Sequence, residues 1–217
     1  MKLFVRSPVV VKRSGWTECR RWLWLWLWLC GAPAWAGDPL TELVLDRPYQ
    51  FRYQETRRLA LLTEPWHGSG FLLADPDGTL VKLQLLPERL VLVATPDALL
   101  YYRPADGERR CLPLPSSLPQ VQGIVLLQRL LRGDLEAVRR DFLLKTDETK
   151  AGWRLVLTPK GTDVPFRRVI LGTKNGDRYL EIQEANGDRS RTTLILDEYG
   201  DHLKVRIARL YRQARGE

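Results

Sequence analysis

The chain has 217 residues, with 34 Lys and Arg against 26 Asp and Glu, a formal net charge of +8, three cysteines, eight tryptophans and one methionine. Residues 1–36 distort these figures: without them the chain keeps 28 basic and 25 acidic residues, two tryptophans and Cys111 as the sole cysteine. The remainder is nearly neutral, so its charge does not point to nucleic acid, and a single cysteine excludes an internal disulfide framework.

The first segment reads as an export signal. Lys12, Arg13, Arg20 and Arg21 precede the apolar run Trp22–Leu29, and Ala34-Trp35-Ala36 stands before the polar Gly37-Asp38. A basic region, a short apolar region and an A-x-A site predict cleavage after Ala36. The apolar stretch Trp22–Ala36 is 15 residues long and is interrupted by Gly31 and Pro33, short of the ~20 residues a spanning helix needs. Bulky Trp28 and Leu29 before Cys30 do not suit lipidation, so the expected product is an unlipidated chain beginning at Gly37.

Residues 37–217 have the size of one domain that buries its own core. Residues 38–48 fit a short helix or strand limited by Pro39 and Pro48. From Tyr49 the pattern is mostly period two: Phe51, Tyr53, Leu59 and Leu61 share one parity, and Gly68–Ala74 is a short apolar run. Asp75-Pro76-Asp77-Gly78 is a turn, after which Val81, Leu83 and Leu85 alternate with Lys82 and Gln84. Glu88–Ala94 and Ala98–Arg103 read as two more strands, and Cys111–Pro119 reads as a proline-rich loop. Pro119–Arg132 breaks the alternation. Val121, Ile124, Val125, Leu127, Leu130 and Leu131 recur at 3–4 spacing, which predicts an amphipathic helix ended by Gly133. A further helical turn starts at Asp134–Ala137, and strand character returns over Arg139–Thr146. Trp153–Leu157, Phe166–Gly172, Tyr179–Ala185 and Arg191–Asp197 complete the strands. Asn175-Gly176 and Asn186-Gly187 between them favour type I′ hairpin turns. The expected fold is mainly β, an α+β arrangement. It is a curved antiparallel sheet of roughly ten strands forming an open half-barrel, with the inserted amphipathic helix acting as a lid.

Catalytic chemistry finds little to stand on. His67 and His202 are the only histidines, with no H-x-x-x-H or C-x-x-C spacing for a metal. Gly68-Ser69-Gly70 is not a nucleophile elbow. Asp75, Asp77, Asp106, Asp177 and Asp188 lie where turns favour aspartate. Cys111 has Arg109 and Arg110 beside it but no second thiol. No glycine loop for phosphate occurs. The expectation is a protein that is not an enzyme and uses no cofactor or metal. The apolar residues stand out instead. The candidate lipid-binding set is Phe51, Tyr53, Leu83, Leu85, Tyr102, Ile124, Leu127, Leu130, Leu131, Trp153, Leu155 and Leu157. The same residues serve equally as ordinary core; the two readings differ only in whether space is left among them.

Several stretches carry a resemblance to a known family. They are Phe51-Arg-Tyr-Gln54-Glu-Thr-Arg57-Arg-Leu59, Leu61-Leu62 and Pro65 leading to Ser69-Gly70-Phe71-Leu72, and Leu80-Val-Lys82 with Pro87. Further on come Leu130-Leu131-Arg-Gly133-Asp134-Leu135 with Phe142, and Trp153-Arg-Leu155-Val-Leu157-Thr-Pro159. Their order over Tyr49–Leu196, behind an export signal, resembles the periplasmic outer-membrane lipoprotein carriers of the LolA type, and more closely the divergent LolA-like branch. The resemblance implies a half-barrel with a helical lid whose cavity takes the acyl chains of lipoproteins or of another acylated envelope molecule. It implies a monomer in the periplasm without enzymatic activity, a cofactor or nucleic acid, served by an inner-membrane donor complex and an outer-membrane acceptor. The competing expectation is a non-catalytic envelope interaction module with a fully packed sheet core. The chain also departs from the family: where the housekeeping carrier places the arginine that latches its lid, this sequence has Ala74-Asp75-Pro76.

Overall fold

The computed structural model describes residues 40–114, 119–150, 152–162 and 164–217. The export segment with its Ala36 site, and the side chain of Val121, lie outside the described residues. A short 3₁₀ turn at Thr41–Leu43 precedes eleven strands. The first six are β1 (Tyr49–Arg58), β2 (Trp66–Ala74), β3 (Leu80–Leu86), β4 (Leu90–Ala94), β5 (Ala98–Arg103) and β6 (Glu108–Pro113). The other five are β7 (Phe142–Thr149), β8 (Gly152–Pro159), β9 (Phe166–Lys174), β10 (Asp177–Glu184) and β11 (Arg189–Tyr199). Helix α1 (Pro119–Arg132) and helix α2 (Leu135–Asp141) fall between β6 and β7, and α3 (Leu203–Arg215) closes the chain.

All strands join one antiparallel sheet in the order β6-β5-β4-β3-β2-β1-β11-β10-β9-β8-β7. It consists of two meanders, β1–β6 and β7–β11, fused where β1 pairs with β11 from Tyr49↔Tyr199 to Arg58↔Arg189. The sheet does not close, because β6 and β7 stand at its opposite edges. These edges are consecutive in the chain. The connection between them therefore has to cross the open side of the sheet, and it does so as α1 and α2. Topology alone thus puts the amphipathic helix over one face, the inner face of an open half-barrel.

Local chemistry explains the joints. Asn175 and Gly176 both take positive φ (55° and 89°), which is the type I′ geometry their sequence favours. At the second Asn-Gly pair only Gly187 is left-handed. That loop is instead held by Gly187 N–H donating to Glu184 C=O and by the Asn186 and Asp188 side chains. Gly133 ends α1 with φ 77°, and its N–H donates to Leu130 C=O. Asp134 then caps α2, accepting from Ala137 N–H. Gly70 sits at a bulge between β2 and β3, where a Cβ would lie 2.0 Å from the Leu83 carbonyl oxygen; only glycine fits that approach.

The alternation fixes two faces. Leu126 and Leu130 of α1 bury against Trp153, Leu155, Leu157, Val169 and Leu171 on the inner face. Leu131 does so against Ala74, Leu80, Ala94 and Leu99. The outer face of β2–β5 is equally apolar: Leu73, Val81, Leu83, Val91, Val93 and Leu100 cluster with Ile207, Leu210 and Ala214 of α3. Strands apolar on both parities need cover on both sides, and this explains an element the sequence patterns above do not include. The buried stripe Leu203, Ile207, Leu210, Ala214 makes Leu203–Arg215 amphipathic. Gln50, 1% exposed, secures it: its amide donates to Asp197 (2.7 Å) and accepts from Arg206 of α3 (2.6 Å). Two boundaries also differ from expectation. Cys111–Pro113 continue β6 through pairing with Ala98–Leu100 instead of starting a loop. Arg139–Asp141 remain helical because the Asp134 cap nucleates two turns before β7 begins.

A candidate apolar site between the sheet and its crossing helix

Direct cross-strand partners share a face, so the inner wall can be traced in rows. One row runs Phe51–Leu72–Lys82–Leu92 across β1 to β4. The next runs Arg178–Leu194–Tyr53–Gly70–Gln84 across β10, β11, β1, β2 and β3. Helix α1 lies above, and three gaps remain beneath or beside it. A space of about 40 Å³ is lined by Phe51, Leu72, Leu127, Leu131, Trp153, Arg178, Leu180 and Leu194, among others. A second, of about 10 Å³, lies between Gly123, Leu126, Leu127 and Leu130 of α1 and Val169, Leu171, Leu180 and Ile182. The largest, about 260 Å³, opens at the flank of α1 among Gln122, Val125, Leu126, Arg129, Asp141, Phe142, Val164 and Phe166. The two inner spaces hold a few waters at most, whereas small-molecule pockets measure roughly 300–1,000 Å³. In this structure α1 is therefore seated on the inner wall, with little space left beneath it.

Besides the buried Leu126, Leu130 and Leu131, polar and directional contacts hold α1. Gln128, 6% exposed, donates its amide to Gly78 C=O (2.8 Å) and Thr95 C=O (3.1 Å), clipping the helix to the β2–β3 and β4–β5 turns. Arg129 pairs with Asp141 at 2.9 Å, tying α1 to the end of α2. Leu45 N–H donates to Leu131 C=O at 3.0 Å. The Gln128 contact comes from the helix, and its acceptors are backbone carbonyls of the sheet turns. No expectation singled out Gln128. Its only signal in the sequence is a glutamine flanked by the apolar stripe.

A charged cluster interrupts the inner wall. Glu55, 6% exposed on β1, receives Arg57 Nε on one oxygen (2.7 Å) and Lys82 Nζ on the other (2.5 Å). Lys82 Nζ also stands 4.8 Å from the Tyr53 ring centroid. Burial by itself raises the Glu55 carboxyl, but the Lys82 and Arg57 cations outweigh it and hold its pKa below the ordinary value. Burial lowers the Lys82 ammonium pKa, and Glu55 only partly offsets this. Tyr53 is pushed up, first by burial and then by the Glu55 charge. Its hydroxyl is buried without a hydrogen-bond partner.

The candidate set separates. Phe51, Leu127, Leu131 and Trp153 meet around one gap, and Leu127 and Leu130 line the next. Leu155 and Leu157 are fully buried in the inner core below α1. Ile124 is half-buried against the Leu80–Leu99 cluster. Tyr53 is on the inner wall beside Lys82. Leu83 and Tyr102 are on the other face, where they pack with α3, and Leu85, on the same parity, is exposed. The reason is the double-sided apolarity of β3–β5: parity groups Leu83 with Leu85, but only the helix above decides which parity faces inward. Among the described residues, no three His, Cys, Asp or Glu side chains group to hold a metal, and no helix is long and apolar enough to cross a membrane.

No protein-family model and no curated protein matches the chain. Solved structures do. A LolA superfamily protein from Nitrosomonas europaea matches at 10% identity over 76% of this chain and 94% of its own, with a TM-score of 0.39. An uncharacterised conserved protein from Thermus thermophilus matches at 14% identity, 78% and 91% coverage and a TM-score of 0.46. A Vibrio parahaemolyticus domain assigned to outer-membrane lipoprotein sorting matches at 9% identity, 75% and 88% coverage and a TM-score of 0.40.

Proposed function

We propose that this chain is an exported carrier. It takes up acyl chains, from lipoproteins or another acylated envelope molecule, between the inner face and α1, and ferries them through the periplasm towards the outer membrane. The observation that carries this reading is the crossing helix. It spans the open side of the sheet over an apolar wall, with gaps beneath it and hydrogen bonds from Gln128 that can be broken and remade. An acyl anchor gains about 0.8 kcal/mol per buried CH₂, so it crosses water only under cover. A helix that settles on the wall when empty keeps the same apolar surface from water between loads. Export with cleavage after Ala36, a donor at the inner membrane and an acceptor at the outer membrane belong to the same proposal.

The smallness of the inner gaps favours one competitor, a non-catalytic envelope module with a filled core. Titration with a fluorescent long-chain acyl probe, together with native mass spectrometry of protein recovered from the periplasm, separates the two. The carrier reading expects saturable one-to-one uptake and co-purifying acylated cargo. Absence of both would leave the packed module standing. N-terminal sequencing of the same material is expected to begin at Gly37.

A further inference from the structure

The polar cluster in the inner wall has an imbalance. Both oxygens of Glu55 are occupied, one by Arg57 and one by Lys82. An ammonium carries three donors, and among the described residues Glu55 is the only hydrogen-bond partner shown for Lys82. The Tyr53 hydroxyl, on a residue 2% exposed, has none. The Tyr53 hydroxyl is therefore an idle donor in a buried place, with no idle carboxylate oxygen beside it, the arrangement a buried site has when its partner is missing. It lies beside the apolar gap. Lys82 is the direct cross-strand partner of Leu72, which lines that gap, and Tyr53 is the partner of Leu194, which lines it too. A second cation comes from the opposite side: Arg178, the one charged residue in that lining, holds its guanidinium 5.6 Å from the Phe51 ring centroid. Arg178 and Lys82 are rooted two strands away from β1 on either side, yet they reach inward to its consecutive inner rings, Phe51 and Tyr53.

Resting on the carrier reading, we propose that the acyl chain it takes ends in an anionic oxygen group, a carboxylate or a phosphate, which accepts from the Tyr53 hydroxyl and Lys82 and faces Arg178. The chain lies along Phe51, Leu127 and Trp153 under α1, and the anion completes the donor set that the wall presents. An anion that only accepts hydrogen bonds fits this place better than a hydroxyl or amine head, which would bring further donors to it.

Three probes with one chain length test this by isothermal titration on the full domain: dodecanoate, dodecyl phosphate and methyl dodecanoate. Both anions are expected to bind at least about tenfold tighter than the methyl ester, and the tighter of the two identifies the source of the charge. Tyr53→Phe removes a hydroxyl that has no partner, so the fold is expected to be retained while affinity for the preferred anion falls about fivefold. The paired change Lys82→Met with Glu55→Gln removes both members of the buried pair together and is expected to equalise the anions and the ester. Ester binding as tight as the anions, or an unchanged anion affinity in Tyr53→Phe, overturns the headgroup assignment and leaves the carrier standing. Failure of all three probes to bind overturns the carrier reading itself.

Discussion

Among the described residues, the two long helices lie on opposite faces of one sheet and are held differently. On the outer face, Leu203, Ile207, Leu210 and Ala214 of α3 are at most 6% exposed, and the last three meet Leu73, Val81, Val91 and Val93, each fully buried. On the inner face, α1 buries Leu126, Leu130 and Leu131, but Ile124, Val125 and Leu127 stay half-buried and gaps remain beneath it. Both helices are amphipathic, so amphipathicity does not tell a tightly packed helix from a loosely packed one. The difference lies in how much of the apolar stripe is buried and how far polar contacts supplement it. Close apolar packing is lost all at once and at high cost, whereas a few hydrogen bonds to turn carbonyls can be exchanged for water.

The comparison breaks most easily at a matched pair of leucines. Leu210→Ala in α3 is expected to cost about 3 kcal/mol, the transfer loss plus a cavity in a dense cluster. Leu127→Ala in α1 is expected to cost about 1 kcal/mol, since Leu127 already borders empty space. Urea denaturation of the two variants reads the difference directly. Equal losses would mean that α1 is packed as firmly as α3, and the lid would lose its support.

The next largest effect belongs to Glu55. Glu55→Gln leaves Lys82 buried without its counter-charge and is expected to cost about 2 kcal/mol at neutral pH, less than a fully enclosed pair because the Lys82 side chain is 23% exposed. The pH dependence has a definite sign. The folded pKa of Glu55 lies below its ordinary value of 4.5. Its stabilisation is therefore complete above that value and is lost as pH falls through the folded pKa. Thermal melts from pH 6 to pH 3 should show a steeper acid loss in the parent than in Glu55→Gln. Parallel curves would remove the ion pair from the inner wall's energetics.

Much of this architecture is legible in the residues. The strands from Gly68–Ala74 to Ala98–Arg103 and from Trp153 to Asp197 follow from alternation, α1 from its 3–4 spacing, and the β9–β10 turn from Asn175-Gly176. The inner site is half legible. Phe51, Leu127, Leu131 and Trp153 do meet, because large apolar side chains on one parity and one helix stripe have few places to go. Leu83, Leu85 and Tyr102 show where the pattern runs out. Alternation tells residues that share a face apart from those that do not, but names neither face as the inner one. That choice depends on α3, whose stripe is masked by Lys204, Arg206, Arg209, Arg212 and Arg215 around it. The Glu55–Lys82 pair joins positions 27 apart on strands that are not neighbours. Nothing in the local sequence of either marks that meeting.

Gln128 and Gly123 sharpen the comparison on α1 itself. Gln128→Leu keeps the bulk but leaves the Gly78 and Thr95 carbonyls without their amide donor. The expected cost is about 1–2 kcal/mol, with faster entry of an acyl probe in stopped-flow mixing. Slower entry would mean that the clip guides the cargo instead of holding the helix shut.

The smallest effect is expected at Gly123, in the second turn of α1. A Cβ there would meet only Ile182 Cδ1, at an ordinary 3.7 Å, so the inner wall does not demand glycine. Its φ is not positive either, so the backbone does not demand it. A helix-interior glycine that neither packing nor conformation requires weakens the helix by roughly 0.5–1 kcal/mol relative to alanine. Gly123→Ala is therefore expected to stabilise the protein by about that amount. If α1 lifts as a rigid rod, the substitution leaves probe entry unchanged. If it lifts by fraying from its N-terminal end as far as Gly123, entry slows. Hydrogen exchange at the amides of residues 123–131 distinguishes the two. Protection extended across the helix with slower entry locates the hinge at Gly123, and in α3, which has no interior glycine, no single substitution should separate stability from motion in this way.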